Sequence, residues 1–414
     1  MYAVPLSVTL TPVVDDPNRS RLSIQLAALT LARWLLSSGL RMVYPFAPAL
    51  ARGMGVPLTA VYRLITIRNF TGLFSPLFGP LSERFGRKPV VIAAMGLFSI
   101  GCLLLILRPA YWLLGVTLSL IALAKVIYDP AMQAYVGDSV PYEKRGWAIA
   151  VTEFSWAGAL LAGAPLMGLV IQRQGWQAPF FWLGALGAGA AVLLWRILPR
   201  LRNHGREAAG LRELLRVVRR NRVVWAAAAY MMLFMGANEV FFLIYGDWME
   251  SSFGLALTSL GLASSVVGGA EIMGELFAGW SVDRFGKRPV IIATGALAAL
   301  TYAVIPRTSA SLVPALITLF MLFLFFEITF VGGVPLFTEV MPNARGVVMS
   351  LVLAAGALGR ALGALLGPMI WERWGFIGNG LTAAVITLLA VLILSFWIRE
   401  NAQTPEGTAQ ALPR

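Results

Sequence analysis

The chain has 414 residues, of which 58% are hydrophobic and 13% charged, with a mean hydropathy of +0.76; a water-soluble chain of this length would carry about 25% charged residues. That composition excludes a soluble globular protein and indicates a polytopic membrane protein. The net charge of +13 does not indicate a nucleic-acid partner, because the basic residues are spaced between apolar runs, where they mark cytoplasmic loops.

Residues 1–20 hold Asp15, Asp16 and Arg19 and lack the charged-then-apolar pattern of a signal peptide, so they are read as a short cytoplasmic tail. A spanning helix needs about 20 apolar residues. By that measure, twelve segments follow at 24–50, 57–82, 89–107, 111–137, 146–172, 178–198, 223–248, 257–282, 289–306, 311–338, 346–371 and 376–398. They lack the alternation of a membrane barrel, so the expected fold is all-α. Five of the Arg and Lys remain within the helices; of the rest, all but six (Arg52, Arg63, Arg108, Arg173, Arg307 and Arg373) fall on the side that carries both termini. That side is expected to be cytoplasmic. The only cysteine, Cys102, lies in an apolar run, and the only histidine, His204, lies in the polar centre of the chain. No intramolecular disulfide, His-based metal site or other metal or cofactor site is expected.

Between the second and third segments the apolar run is broken by Gly79-Pro80-Leu81-Ser82-Glu83-Arg84-Phe85-Gly86-Arg87-Lys88-Pro89-Val90. The pattern returns 200 residues later as Gly279-Trp280-Ser281-Val282-Asp283-Arg284-Phe285-Gly286-Lys287-Arg288-Pro289-Val290. Asp138-Ser139-Val140-Pro141 recurs as Glu339-Val340-Met341-Pro342. Gly163-Ala164, Arg173 and Gly175 recur at the same offset as Gly363-Ala364, Arg373 and Gly375. The chain therefore duplicates a six-helix unit, with a bundle at 1–198, a polar linker at 199–222 and a second bundle with a short tail at 223–414. Within the linker, 211–220 places leucines and valines at helical spacing among arginines, the pattern of an amphipathic helix on an anionic leaflet.

These residues resemble the major facilitator superfamily over essentially the whole chain. The family signature G-x-L-x-D-R-x-G-R-K is matched by Gly79, Leu81, Arg84, Gly86, Arg87 and Lys88, with Glu83 where the family usually has Asp. The second copy keeps Gly279, Asp283, Arg284, Gly286, Lys287 and Arg288. The resemblance implies alternating access by two rocking bundles. It also implies a gating cluster that holds the cytoplasmic side shut: Arg87 with Asp138, Lys287 with Glu339, and the acid of the motif facing the start of helix eleven near Gly346, with Arg145 and Arg345 alongside. In physical terms, Gly79 and Gly279 permit close helix approach, and an acid is favoured at a helix N-terminus.

Ionisable groups inside spans are costly and mark function or pairing. Here they are Arg33, Arg41, Arg68, Lys125, Asp129, Glu153, Glu239, Glu271, Glu275, Glu327 and Arg360. The N-terminal half holds four cations and two acids; the C-terminal half holds one cation and four acids, which suggests ion pairs across a cavity. Arg41 and Glu239 occupy nearly equivalent repeat positions and form the leading expected cross-half pair. Lys125 and Asp129 share a helix face, as do Glu271 and Glu275. Burial favours the protonated carboxyl and an approaching guanidinium the ionised one, so Glu239, Glu271, Glu327 and Asp129 are the candidate proton carriers, and Glu153 is assigned a structural role. Arg41, Tyr44, Arg68, Lys125, Glu239, Tyr245, Glu271, Phe326 and Arg360 are expected to line a substrate cavity, with Trp34, Phe234 and Phe241 as further aromatic candidates.

The run 158–168 looks like a degraded form of the G-P-x-x-G antiporter motif of the family's drug:proton exchangers, with Ala164 before Pro165, and Gly359, Gly363 and Gly367 form a packing stripe. Arg41-Met42-Val43-Tyr44-Pro45-Phe46 resembles the first helix of efflux-type members. Those exporters often place an acid there; Arg33 and Arg41 stand in this chain instead, which leaves room for anionic or zwitterionic substrates. No P-loop lysine motif is present, so ATP hydrolysis and enzymatic activity are not expected. The expected function is proton-coupled export of small amphipathic molecules by a monomer in the inner (plasma) membrane, its partners being substrate, protons and the lipid bilayer. The alternatives are an organic-anion symporter or uniporter, a lipid translocator, and a non-transporting membrane sensor or scaffold.

Overall fold

A computed structural model describes residues 17–199, 221–341 and 345–398, and the amphipathic stretch 211–220 lies outside them. Among these residues, nine helices are long and apolar enough to cross a membrane, and a tenth span is the bent pair Leu22–Arg41 and Val43–Met54. The element Arg345–Trp397 leaves helical geometry at Gly375 (φ 61°, ψ −163°) and is therefore two spans. Leu58–Asn69 and Ser75–Phe85, joined by a 3-10 turn at Phe70–Phe74, make one more. The twelve expected spans are all present.

In chain order α1 is Pro17–Arg41 with Val43–Met54, α2 is Leu58–Phe85 with its 3-10 turn, α3 is Arg87–Leu107 and α4 is Tyr111–Ser139. Helix α5 is Tyr142–Gly158, a π-turn at Ala159–Gly163 and Ala164–Gln174; α6 is Ala178–Ile197. Helix α7 is Arg222–Phe242 with Tyr245–Phe253; α8 is Leu257–Phe285, α9 Lys287–Val304, α10 Leu312–Glu339, α11 345–374 and α12 376–397.

The duplication is visible in the backbone. The six positive-φ glycines among the described residues fall into three equivalent pairs, Gly55 with Gly254, Gly86 with Gly286 and Gly175 with Gly375. Gly86 and Gly286 (φ 91° and 86°) make the tight turns between consecutive spans that a residue with Cβ adopts only with strain. The first span breaks at Met42 by 54°, a feature the periodicity did not announce. The ring of Pro45 meets the carbonyl of the residue four before it, Arg41, which kinks the helix there.

Within the C-terminal half α7 and α11 cross at backbone contact. A Cβ on Gly359 would lie 2.0 Å from the Met232 carbonyl oxygen, and one on Gly363 would lie 2.4 Å from that of Gly236. The expected glycine stripe is this crossing.

The two halves meet along two seams, α5 with α8 and α2 with α11. Helix α8 packs mainly on the Ala159–Gly163 and Ala164–Gln174 parts of α5, and α11 packs mainly on Leu58–Asn69 and Phe70–Phe74 of α2. Both tight regions lie toward the end of the bundle that carries the 55–57 and 254–256 turns, called here the far end. Toward the end that carries the charged motifs, the motif end, α8 parts from α5. Among the described residues, a Cβ added to Gly279, Gly146 or Gly346 would meet no heavy atom within 4 Å. The close helix approach expected at Gly279 is not seen among the described residues. The surroundings of Gly79 lie outside what is described.

Candidate functional site

At the motif end the expected intra-half pairs are in place. Arg87 Nε donates to Asp138 Oδ2 at 3.1 Å and Arg87 Nη1 to Ser82 at 2.7 Å; Lys287 is paired with Glu339. Arg145 Nε donates to the Val140 carbonyl at 2.9 Å, fastening the turn between α4 and α5. Glu83, Arg84, Asp283 and Arg284 are exposed at the ends of α2 and α8, and the arginines lie over Phe85 and over Trp280 and Phe285. The Arg345 side chain lies outside the described residues.

The second cation of each motif copy has a role that spacing did not reveal. Lys88 donates to the Leu198 carbonyl and Arg288 to the Ser395 carbonyl, each at 2.5 Å. Each satisfies carbonyls at the C-terminal end of the last helix of its half, where a cation is favoured.

The α5–α8 seam follows from the proline-containing run in α5. Pro165 has no N–H to offer the carbonyl four residues earlier, that of Leu161, and the helix opens into the π-turn Ala159–Gly163. Ser265 on α8 donates to that free carbonyl at 2.7 Å. Around it the helices touch through glycines. A Cβ on Gly268 would lie 2.4 Å from Leu161 N, one on Gly261 2.7 Å from Ala164 O, and one on Gly168 2.5 Å from Leu257 O.

At mid-depth on this seam Arg41 reaches across from α1 to α8. Its two terminal nitrogens meet the two Glu271 oxygens at 2.6 Å each, a bidentate pair in which both side chains are about 97% buried. Arg41 Nη1 also donates to the Trp156 carbonyl at 3.0 Å, and its guanidinium lies 4.3 Å from the Trp156 ring centroid. Lys125 lies 5.3 Å from the same ring on its way to Asp129, at 2.8 Å. Arg33 bonds Asp129 at 3.0 Å and Glu153 at 2.9 Å, so Glu153 is a partner in an intra-half cluster of α1, α4 and α5. Trp156, which joins the two clusters, was not among the expected site residues; a lone tryptophan in an apolar helix carries no signal of what stands over its face.

The expected pair Arg41–Glu239 does not form. Glu239 instead belongs to the other seam, where Tyr44 Oη and Asn69 Nδ2 each donate to Glu239 Oε1 at 2.9 Å, and Arg360 lies 3.5 Å from Oε2. Arg68 donates to Tyr44 Oη at 3.0 Å and to the Leu40 carbonyl at 2.8 Å. The reason is symmetry: equivalent positions of a two-fold repeat point at equivalent seams, which lie on opposite sides of the molecule. Arg41 faces α5 and α8, and Glu239 faces α11 and α2.

Two acids remain. Glu327 on α10 is 4% exposed, and a Cβ on Gly274 of α8 would lie 2.6 Å from its own Cβ. Among the described residues neither Glu327 nor Glu275 makes a hydrogen bond or an ion pair. The charged groups acting on Glu327 are Glu271 and Glu275 from α8, Arg41 from α1 and Glu153 from α5.

The expected aromatic residues divide. Tyr230, Phe234, Phe326 and Phe330 form a run of near-parallel rings, with successive centroids 5.7, 4.7 and 6.4 Å apart and interplanar angles of 7°, 6° and 5°. Tyr44 packs on Phe242 across the halves at 4.8 Å. Phe241 packs instead against Trp248, Tyr302 and Phe376 inside the C-terminal half, and the Tyr245 hydroxyl meets Ser264 at 3.3 Å in the same half. Trp34 lies against Gly158 and Gly163 on α5.

Known proteins resemble the chain over most of its length. The chain is 28% identical over 398 residues to the "uncharacterized MFS-type transporter YwfA" of Bacillus subtilis (strain 168), covering 93% of this chain and 94% of that protein. It is 24% identical to "multidrug resistance protein 2" of the same organism, over 81% of this chain and 85% of that one. It is also 23% identical to a "probable sugar efflux transporter" of Pasteurella multocida (strain Pm70), over 84% and 86%. In fold it is similar to the crystal structure of a bacterial homolog of the human lysosomal transporter Spinster in an inward-facing and occupied conformation. The TM-score is 0.74 at 16% identity, over 92% of this chain and 97% of that one. The family model of the Major Facilitator Superfamily matches twice, over residues 29–246 and 232–413, one match for each half of the duplicated bundle. With its two halves both matched, the chain belongs to the Major Facilitator Superfamily of membrane transporters.

Proposed function

We propose that the chain is a secondary transporter that exports small amphipathic molecules in exchange for protons by alternating access, with the motif end and both termini on the cytoplasmic side of the inner membrane. The observation that carries this reading is the bidentate Arg41–Glu271 pair, which is buried, ties one half to the other and has the unpaired Glu327 beside it. A buried carboxylate deprived of its guanidinium is strongly destabilised. The seam can therefore open at this pair only when Glu271 takes up a proton or exchanges its partner. Glu327, with no cation of its own, is a second place for that proton. Proton occupancy and seam opening become linked, which is what coupling requires. The motif pairs Arg87–Asp138 and Lys287–Glu339 stiffen each half at the cytoplasmic face, and the far-end network of Glu239, Tyr44, Asn69, Arg68 and Arg360 holds the opposite face shut. The efflux and multidrug names of two relatives support the direction.

The test uses the full-length protein in liposomes with a fluorescent amphipathic dye and an imposed pH gradient. Gradient-driven dye movement is expected for the unaltered protein. Glu271→Gln and Glu327→Gln are expected to abolish the response to the gradient while dye still equilibrates across the membrane. Unchanged gradient-driven movement in both variants removes the proton role, and no protein-dependent flux under any gradient removes the transporter reading.

A further inference from the structure

We infer, on the transporter reading, that the substrate carries a carboxylate and that Arg360 on α11 is its direct contact, kept available by Arg68 acting through Tyr44 and Asn69. Arg33 and Arg41, the residues that suggested an anion, are occupied by Asp129, Glu153 and Glu271. Arg360 is not. Among the described residues its guanidinium donates no hydrogen bond. Its ion-pair partner Glu239 stands with Oε2 3.5 Å from Nη1, and that buried oxygen has no hydrogen-bond partner among the described residues.

The α2–α11 seam thus holds two guanidiniums, Arg68 and Arg360, and one carboxylate, Glu239. Arg68 is 1% exposed and has no carboxylate partner of its own among the described residues. Its Nη2 donates to Tyr44 Oη at 3.0 Å and to Asn69 Oδ1 at 3.4 Å. Tyr44 Oη and Asn69 Nδ2 in turn each donate to Glu239 Oε1 at 2.9 Å. Arg68 is therefore the counter-ion of Glu239 at one remove, since each bond it donates polarises the group that donates next and strengthens its hold on the carboxylate. With Oε1 satisfied twice from that side, Glu239 keeps Arg360 only at 3.5 Å, beyond the ~2.7–2.9 Å of a charge-assisted hydrogen bond. One positive charge is left over inside the membrane, where an uncompensated charge is costly. An incoming carboxylate removes that cost, and its two oxygens match the planar guanidinium fork.

The position suits a solute entering from the motif end. Arg360 is fifteen residues from Arg345, roughly 22 Å in at ~1.5 Å per residue, and its side chain is 28% exposed. Its head lies beside the wholly buried Glu239, so the exposed part faces the interior of the bundle, which is closed beyond it at the far end. The acids Glu275 and Glu327 stand on the other side of that interior, on α8 and α10. Glu275 is eight residues from Asp283 and Glu327 twelve from Glu339, about 12 and 18 Å in. A carboxylate that passes them reaches a guanidinium with free donors and no bound acceptor.

Two acids, each set against its own amide, isolate the charge. Equilibrium binding of 1-naphthylacetate and 1-naphthylacetamide, and of decanoate and decanamide, is measured at neutral pH on the full-length protein. The protein is held in phosphatidylcholine nanodiscs, with empty nanodiscs subtracted. At least one acid is expected to bind saturably and more tightly than its amide by roughly tenfold to a hundredfold, the worth of a charged contact. Arg360→Gln is expected to erase that preference and Arg360→Lys to keep part of it. Arg68→Gln is expected to lower it with amide affinity unchanged, because Glu239 then claims Arg360. Glu239→Gln is expected to raise acid affinity severalfold by removing the competing carboxylate, where a purely structural network would give a loss. Acids that bind no more tightly than their amides, with both bodies, would overturn the assignment. So would a preference unchanged in Arg360→Gln, or acid affinity lowered in Glu239→Gln, when the variant's melting curve matches the parent. Acid binding that added phosphatidylglycerol abolishes would give the site to a lipid headgroup and overturn it too. Each of these failures leaves the gradient-driven dye flux of the unaltered protein standing, whereas loss of that flux with acid binding intact counts against transport alone.

Discussion

Arg41→Ala is expected to be the most damaging single change at the seams, lowering stability by about 3–5 kcal/mol, the cost of leaving one member of a buried ion pair without its partner. The estimate applies because both side chains are almost wholly enclosed and Glu271 has no other cation within bonding distance among the described residues. The pair itself contributes much less, since both charges were taken out of water to form it. Arg41→Gln with Glu271→Gln together are therefore expected to recover most of the loss. Thermal unfolding of the purified protein, followed as a double-mutant cycle, measures the coupling. Additive losses in the cycle would show that the two residues do not act on each other. The contrast with Arg52–Glu250 at the far-end rim is instructive. That pair also joins the halves but is largely exposed, and breaking it is expected to change stability by at most about 1 kcal/mol.

The second large effect separates two kinds of glycine. Gly359→Val and Gly268→Val both push a side chain into backbone, at 2.0 Å from the Met232 carbonyl and at 2.4 Å from the Leu161 nitrogen. Gly359 faces α7 within its own half, so nothing can relieve the clash without unpacking the bundle. Its substitution is expected to destabilise the fold by several kcal/mol, beyond the ~1–3 kcal/mol typical of overpacking because the obstacle is backbone. Gly268 faces the other half. The clash there is relieved when the two halves move apart at the far end, so Gly268→Val is expected to melt like the parent while abolishing dye flux. Spin labels at Arg63 and Arg307, both exposed at the far end, are expected to report longer separations in Gly268→Val than in the parent. An unchanged distance distribution would show that the α5–α8 contact does not hold the far end closed.

Much of the fold was legible without coordinates. The apolar runs mark twelve spans because the backbone of a lipid-exposed segment must satisfy its own hydrogen bonds. The repeat at an offset of 200 reappears as paired glycine turns at Gly86 and Gly286 and at Gly175 and Gly375. The pairs Arg87–Asp138 and Lys287–Glu339 join residues of adjacent spans within one half, and the resemblance named both. Depth was also readable, since the rise per residue is constant: Glu271 stands twelve residues before Asp283 and Glu327 twelve before Glu339, which puts both about 18 Å in from the motif end, and they lie beside Gly274 at a single crossing of α8 and α10.

Direction around the helix axis was not readable. Arg41 and Glu239 have equivalent places in the repeat and similar depth, yet each points at its own seam, so the partner of Arg41 is Glu271. The same limit hid Trp156 beneath Arg41 and Lys125, the carbonyls capped by Lys88 and Arg288, and the bond of Ser265 to the carbonyl that Pro165 leaves free. Composition shows six acids and five cations inside the membrane, but which acids lack a counter-ion depends on which faces of different helices are brought together. The sequence by itself determined the number of spans, the two-fold plan, the depth of each charge and the cost of burying it. Only the tertiary structure decided how those charges are paired, because pairing is a property of helix packing across distant parts of the chain, and it left Glu275 and Glu327 without partners on the side where the halves have parted.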